Sequence, residues 1–168
     1  MVIVGIDPGS RKTGYGIISV QGNHFTCLGY GVIATGDESL PERLRLIHSG
    51  LDALFARHTP AAVVVEEIFH HANVRSALVL GEARGVVLLA AAEAGIPLAE
   101  YTALQIKKSV VGYGKADKKQ VQMMVRRLLN LKEDPQPLDA SDALAIALCH
   151  GFNKSRYLRT QPRAGSHP

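Results

Sequence analysis

The chain has 168 residues, 46% of them hydrophobic and 20% charged, with a net charge of +4. That length and balance fit one globular domain with a real core and exclude a disordered or fibrous chain. No apolar stretch is long enough to span a bilayer, the N-terminus carries no basic leader, and Cys27 and Cys149 are too few and too far apart for a disulfide framework or a zinc module. A reducing, cytoplasmic setting is therefore expected.

In chain order, residues 2–7 form a continuous apolar run, the pattern of a strand buried on both faces. Pro8-Gly9-Ser10 turns the chain into a second strand over residues 14–20, and Gly22-Asn23 turns it again into a third over 25–34. Ser39 and Glu42 have capping-box spacing with Pro41 between them. The helix they open places Leu44, Ile47, Leu51, Leu54 and Phe55 on one face. A fourth strand follows over 62–66.

A long helix is expected from about Asn73 to Ala94, with Gly81 and Gly85 four residues apart. That small-residue pair, with Leu78, Val79 and Leu88, is a candidate contact with a second subunit; packing on the sheet is the alternative. Residues 96–101 make a short strand, and 102–109 a short helix. Asp117 and Gln120 then cap a helix whose core face is Val121, Met124, Val125, Leu128 and Leu129. Pro135 and Pro137 break the chain before a last, Ala-rich helix from about Asp139 to Gly151. The polar, basic stretch 153–168 is expected to be a disordered tail, leaving residues 1–152 as a single domain. A hairpin-linked meander followed by crossover units implies an α/β fold: a five-stranded mixed sheet with helices on both faces.

Four acids stand out in that layout. Asp7 and Glu66 each terminate an apolar strand, and Asp139 and Asp142 lie three apart, on one face of the last helix. With the two strands side by side and the last helix across their ends, all four converge, with no basic partner beside them in sequence. Unpaired carboxylates repel and resist leaving water, so such a cluster requires a positive counterpart. A hard divalent cation such as magnesium takes oxygen ligands and keeps waters for chemistry. A metal-dependent enzyme acting on phosphodiesters follows from this set. Between residues 107 and 127 the bases are Lys107, Lys108, Lys115, Lys118, Lys119, Arg126 and Arg127 against one acid, Asp117, a stripe suited to a polyanion.

The segment Gly5-Ile6-Asp7-Pro8-Gly9-Ser10-Arg11-Lys12-Thr13-Gly14-Tyr15-Gly16 resembles the opening motif of the RuvC family, the bacterial Holliday-junction resolvases. Further blocks resemble that family in order: Val65-Glu66-Glu67-Ile68-Phe69, Gly81-Glu82-Ala83-Arg84-Gly85, Lys107-Lys108-Ser109, Lys118-Lys119-Gln120 and Asp139-Ala140-Ser141-Asp142. The resemblance covers about residues 1–152. It implies a ribonuclease-H-like fold, a homodimer, two magnesium ions per active site (manganese substituting), and paired nicks in four-way junction DNA during recombination and repair. It also implies association with a junction branch-migration complex.

On the resemblance, Asp7, Glu66, Asp139 and Asp142 are the catalytic and metal-binding acids. Lys118 and Lys107 act in cleavage, and Phe69 intrudes on junction bases. From the basic stripe rather than the resemblance, Lys108, Lys115 and Lys119 are expected to add DNA contacts, while Glu67 reads as structural or solvated.

Each residue also has a plainer reading: Asp7 as a turn former, Asp139 as a helix cap, Asp142 as a dipole partner, the lysines as solvated surface. Tyr15 and Tyr113 read as packing residues, and His70-His71 as part of a DNA-facing loop. The rival activity is a nuclease of the same fold acting on other branched DNA or on RNA–DNA hybrids.

Overall fold

The computed structural model describes residues 1–67 and 74–160, with side chains described up to residue 154. Five strands form one mixed sheet in the order β3-β2-β1-β4-β5. They are β1 (Val2–Asp7), β2 (Lys12–Gln21), β3 (His24–Ala34), β4 (Ala62–Glu66) and β5 (Leu98–Tyr101). The first three make the expected antiparallel meander. β4 pairs in parallel with β1, and β5 in parallel with β4. The helices are α1 (Leu40–His58), α2 (Val74–Glu93), α3 (Ala103–Val111), α4 (Lys118–Leu128) and α5 (Leu138–Thr160).

Strand alternation splits the core into two layers. Val4, Ile6, Ile17, Val63 and Val65 pack against α1 and α2. Ile3, Ile18 and Val64 face the other way, against α3, α4 and α5. The second layer is built around α5, in which every residue from Ala140 to Gly151 is buried except Asp142.

Glycines let α5 lie so close to the sheet. A Cβ on Gly5 would sit 2.1 Å from the Ala143 carbonyl oxygen, one on Gly14 2.1 Å from that of Asp139, and one on Gly16 2.6 Å from the Leu144 nitrogen. Three side-chain-free positions on β1 and β2 thus form a trough that receives the α5 backbone.

Local signals explain most helix starts. Asp117 and Gln120 make the expected capping box at α4, and Thr102 and Gln105 make another at α3. At α1 the expectation fails: Ser39 makes no side-chain cap, and the Glu42 carboxylate, which would complete the box, is held instead by Arg45 through Nε and Nη2. The final helix also passes its expected end at Gly151 and continues to Thr160. Gly151 packs under Phe25, and no proline or further glycine follows before residue 160 to stop the helix. Residues 161–168 lie outside the described residues, as do Phe69, His70 and His71.

Gly5→Ala should lower stability by about 1–3 kcal/mol, the usual cost of overpacking. Gly29→Ala, where an added Cβ meets nothing within 4 Å, should be near neutral. Urea denaturation of both variants checks this, and equal stability of the two would refute the trough.

Candidate active site

Pairing of Ile6 with Val65 sets the ends of β1 and β4 side by side, so Asp7 and Glu66 project next to each other. Both lie in the alternation that faces α5, because Gly5 and Val64 two residues earlier face it. Asp142 reaches them from α5, and Lys107 and Lys118 from α3 and α4. These five side chains line one cavity of about 270 Å³, floored by Ile106, Val121, Ala145 and Ile146. Asp139, one turn earlier on α5, is not among its walls but is close enough for its charge to act on Asp7. Glu67 faces away, and its backbone N–H donates to the Tyr101 carbonyl at 2.9 Å.

Burial first, then the charges of Asp142, Asp139 and Glu66, together push the Asp7 carboxyl up to about 7 against the opposing pull of Lys118. Glu66 is raised by burial and then by Asp142, with Lys118 and Lys107 opposing. Lys118 is itself held above its ordinary value, chiefly by its hydrogen bond to and attraction for Asp142. Its Nζ lies 3.0 Å from Asp142 Oδ2 while the side chain remains 69% exposed. The sequence reading missed this pair and took the acids as lacking a basic partner. A 24-residue separation carries no local signal of the contact.

The remaining basic residues fall outside the cavity. Lys108, Lys115 and Lys119 are exposed beside it on α3, the following loop and α4. Arg126 instead pairs with Asp134 at 3.3 Å. Tyr15 packs among the α1 and α2 layer, and Tyr113 is 45% exposed. Gly81 and Gly85 do not face the sheet; Ala83, Val87, Ala90 and Ala91 do.

The donor set suits a hard cation: carboxylate oxygens, partly desolvated and mutually repulsive, with the two ammonium groups of Lys107 and Lys118 beside them. Among the described residues no three His, Cys, Asp or Glu side chains are gathered tightly enough to form a finished metal cage. Lys118 holds one of the oxygens a cation would use.

Comparison with known proteins agrees with this geometry. The family model described as "Crossover junction endodeoxyribonuclease RuvC" matches residues 3–150. A relative of that name from Citrifermentans bemidjiense is 54% identical over 154 residues, covering 91% of this chain and 93% of its own. One from Alkaliphilus oremlandii is 50% identical, covering 89% and 92%. The solved structure of Thermus thermophilus RuvC in complex with a Holliday junction substrate superposes with a TM-score of 0.89 at 41% identity, covering 94% of this chain and 96% of that one. A yeast mitochondrial Holliday junction resolvase, at 14% identity and a TM-score of 0.63, shares the ribonuclease-H-like fold alone.

The raised Asp7 value has a sign that can be tested. The folded value of about 7 exceeds the ordinary 3.8, so the folded chain holds a proton through that interval that the unfolded chain has lost. Metal-free stability should therefore fall as pH rises through the interval. Asp7→Asn removes the dependence and should be more stable than the parent by about 2–4 kcal/mol near pH 8, and equal to it near pH 4. Urea denaturation in chelator checks this; equal stability at the higher pH would contradict the cluster. The match over residues 3–150, together with identities above half, shows that the chain belongs to the RuvC family of crossover junction endodeoxyribonucleases.

Proposed function

We propose that the protein is a structure-selective endonuclease that resolves four-way DNA junctions by symmetric, divalent-metal-dependent nicks, in recombination and repair in the cytoplasm. The observation that carries this is the cavity at the ends of β1 and β4, where Asp7, Glu66 and Asp142 meet Lys107 and Lys118. The likeness to a resolvase solved on its junction substrate supports the choice of DNA.

Asp7, Glu66, Asp142 and the adjoining Asp139 would hold magnesium, which when bound activates water and steadies the leaving oxygen. Asp7 is central, since it feels the other three acids and Lys118. Lys118, mostly exposed at the cavity and hydrogen-bonded to Asp142, is placed to meet a phosphate oxygen once that carboxylate is otherwise engaged. Lys107, beside Glu66, offers a second positive contact. Lys108, Lys115 and Lys119 extend the charge along the approach and make binding salt-dependent. Phe69 retains its proposed contact with junction bases on the strength of the family resemblance.

Two copies are needed for two nicks. The outward face of α2 carries Val74, Leu78 and Leu89, which are 76%, 64% and 52% exposed. Gly81 and Gly85 lie between them, where an added Cβ would meet nothing within 4 Å. The spacing 74, 78, 81, 85, 89 follows one helix face, and the glycines permit close approach of a second α2. A two-fold dimer there matches the symmetry of a junction.

A synthetic four-way junction incubated with the protein and Mg²⁺ should give symmetrically placed nicks on a denaturing gel. Asp7→Asn should bind the junction but cut roughly a thousandfold more slowly, a loss of several kcal/mol of transition-state stabilisation. Equal cutting of linear duplex or of RNA–DNA hybrids would favour the rival nuclease, and full activity in Asp7→Asn would remove the assigned site.

A further inference from the structure

The turn after β1 leads from the acids to the opposite face of the sheet, and it is tightly fixed. Thr13 Oγ1 donates to the Gly9 carbonyl at 2.7 Å, and Thr35 Oγ1 to the Ser10 carbonyl at 2.8 Å. Arg43, in the first turn of α1, donates from Nη1 to Ser10 Oγ at 3.0 Å. That bond occupies the hydroxyl as acceptor and leaves its proton to donate elsewhere.

Among the described residues Arg43 differs from the other partly buried arginines, Arg84 and Arg126, in having no ion pair; the exposed Arg57 and Arg127 also have none. Arg11 pairs with Asp37, Arg45 with Glu42, Arg84 with Glu100 and Arg126 with Asp134. Among the described residues no carboxylate lies within ion-pair distance of Arg43, and its Nε is shielded from solvent without an acceptor. The segments outside the description, 68–73 and 155–168, contain no Asp or Glu, so they hold no side-chain carboxylate for it. A partly buried guanidinium without a counter-charge is costly and calls for an anion from outside the chain.

The Ser10 side chain opens on a cleft of about 420 Å³, with Arg75, Ser76, Val79 and Leu80 of α2 as the facing wall and no acid in its lining. The first turn of α2 has no acidic residue either, and a helix N-terminus favours negative charge. Ser10 follows Asp7 by three residues, so the two lie at most about 10 Å apart along the chain, a reach of about three nucleotides of backbone. The acid cavity opens on the α5 face of the sheet, and this cleft on the α1 and α2 face.

We propose that Ser10, which lines this cleft opposite the first turns of α2, and Arg43, hydrogen-bonded to the Ser10 hydroxyl, form a second phosphodiester subsite that seats a DNA backbone phosphate within three nucleotides of the cut. The proposal rests on the nuclease reading above. Arg43 acts here as a positioning residue: it supplies charge and aims the Ser10 hydroxyl, and the strand crosses the sheet edge between the two sites.

The test is equilibrium binding of the full chain, in Mg²⁺-free buffer, to four-way junctions in which single phosphates flanking the cut are replaced by neutral methylphosphonates. One replacement within three nucleotides should weaken the parent roughly tenfold. Arg43→Gln should be insensitive at that position, with a log–log salt slope shallower by about 0.9, and Arg43→Lys should recover the slope. A merely structural Arg43 would shift the melting temperature and leave the slope unchanged, which overturns the proposal. So does a parent with no sensitive phosphate in that window, a result independent of any variant. If Arg43→Gln fails to fold, Ser10→Ala is scanned instead and must lose sensitivity at the same phosphate. A parent that neither binds nor cuts the unmodified junction overturns the nuclease reading itself, whereas normal cutting with a flat scan overturns only this subsite.

Discussion

The site depends on how closely a helix can approach a sheet. Gly5, Gly14 and Gly16 strip side chains from one strip of β1 and β2, and the α5 backbone fills it. Any larger residue there would lift α5 away from the strand ends. Because α5 sits so low, Asp142 reaches the level of Asp7 and Glu66, and Asp139 comes near enough to add its charge. The electrostatic strain of four acids around a half-buried position is thus a consequence of packing. Burial of the surrounding apolar layer offsets the repulsion, and the raised Asp7 value shows that a proton on that carboxyl relieves part of it.

The polar elements around that point are divided by the sheet. Lys107 and Lys118 stand on the α5 side, on helices whose capping boxes fix where each begins. Ser10 and Arg43 stand on the α1 and α2 side, on a turn clamped by Thr13 and Thr35. Strands that end together in a parallel pair make the edge between these two sides, a common place for ligands in α/β sheets. The same alternation that separates the two hydrophobic layers therefore separates the two positive surfaces. The outward stripe of α2 is a third surface, left apolar while Ala83, Val87, Ala90 and Ala91 face the core.

Much of this was legible in the sequence where local signals and global packing agree. The apolar runs ending in Asp7 and Glu66 have the lengths and endings seen in β1 and β4, and the Asp117–Gln120 cap sits where its spacing placed it. The three-residue spacing of Asp139 and Asp142 was legible too, although only Asp142 lines the cavity while Asp139 acts on Asp7 through its charge. Less legible were contacts that depend on side chains distant in sequence. Nothing near Lys118 announces Asp142, and nothing near Arg43 announces Ser10. A glycine inside a strand signals close approach without saying of what, so the trough under α5 was invisible. Of the Ser39 and Glu42 box, the carboxylate half is taken by Arg45, and the end of α5 was placed early because the polar, basic stretch from residue 153 was read as a tail while the helix runs on to Thr160.

The central claim is that these carboxylates form an anionic cavity completed by divalent cations. Isothermal titration calorimetry of Mg²⁺ into the metal-free protein, in buffers of different ionisation enthalpy near neutral pH, tests it most directly. The account predicts binding accompanied by proton release, because Asp7 is held up to about 7 until a cation displaces its proton. Asp7→Asn should bind weakly and release none. Tight binding with no proton released, or binding unaffected by Asp7→Asn, would contradict the account.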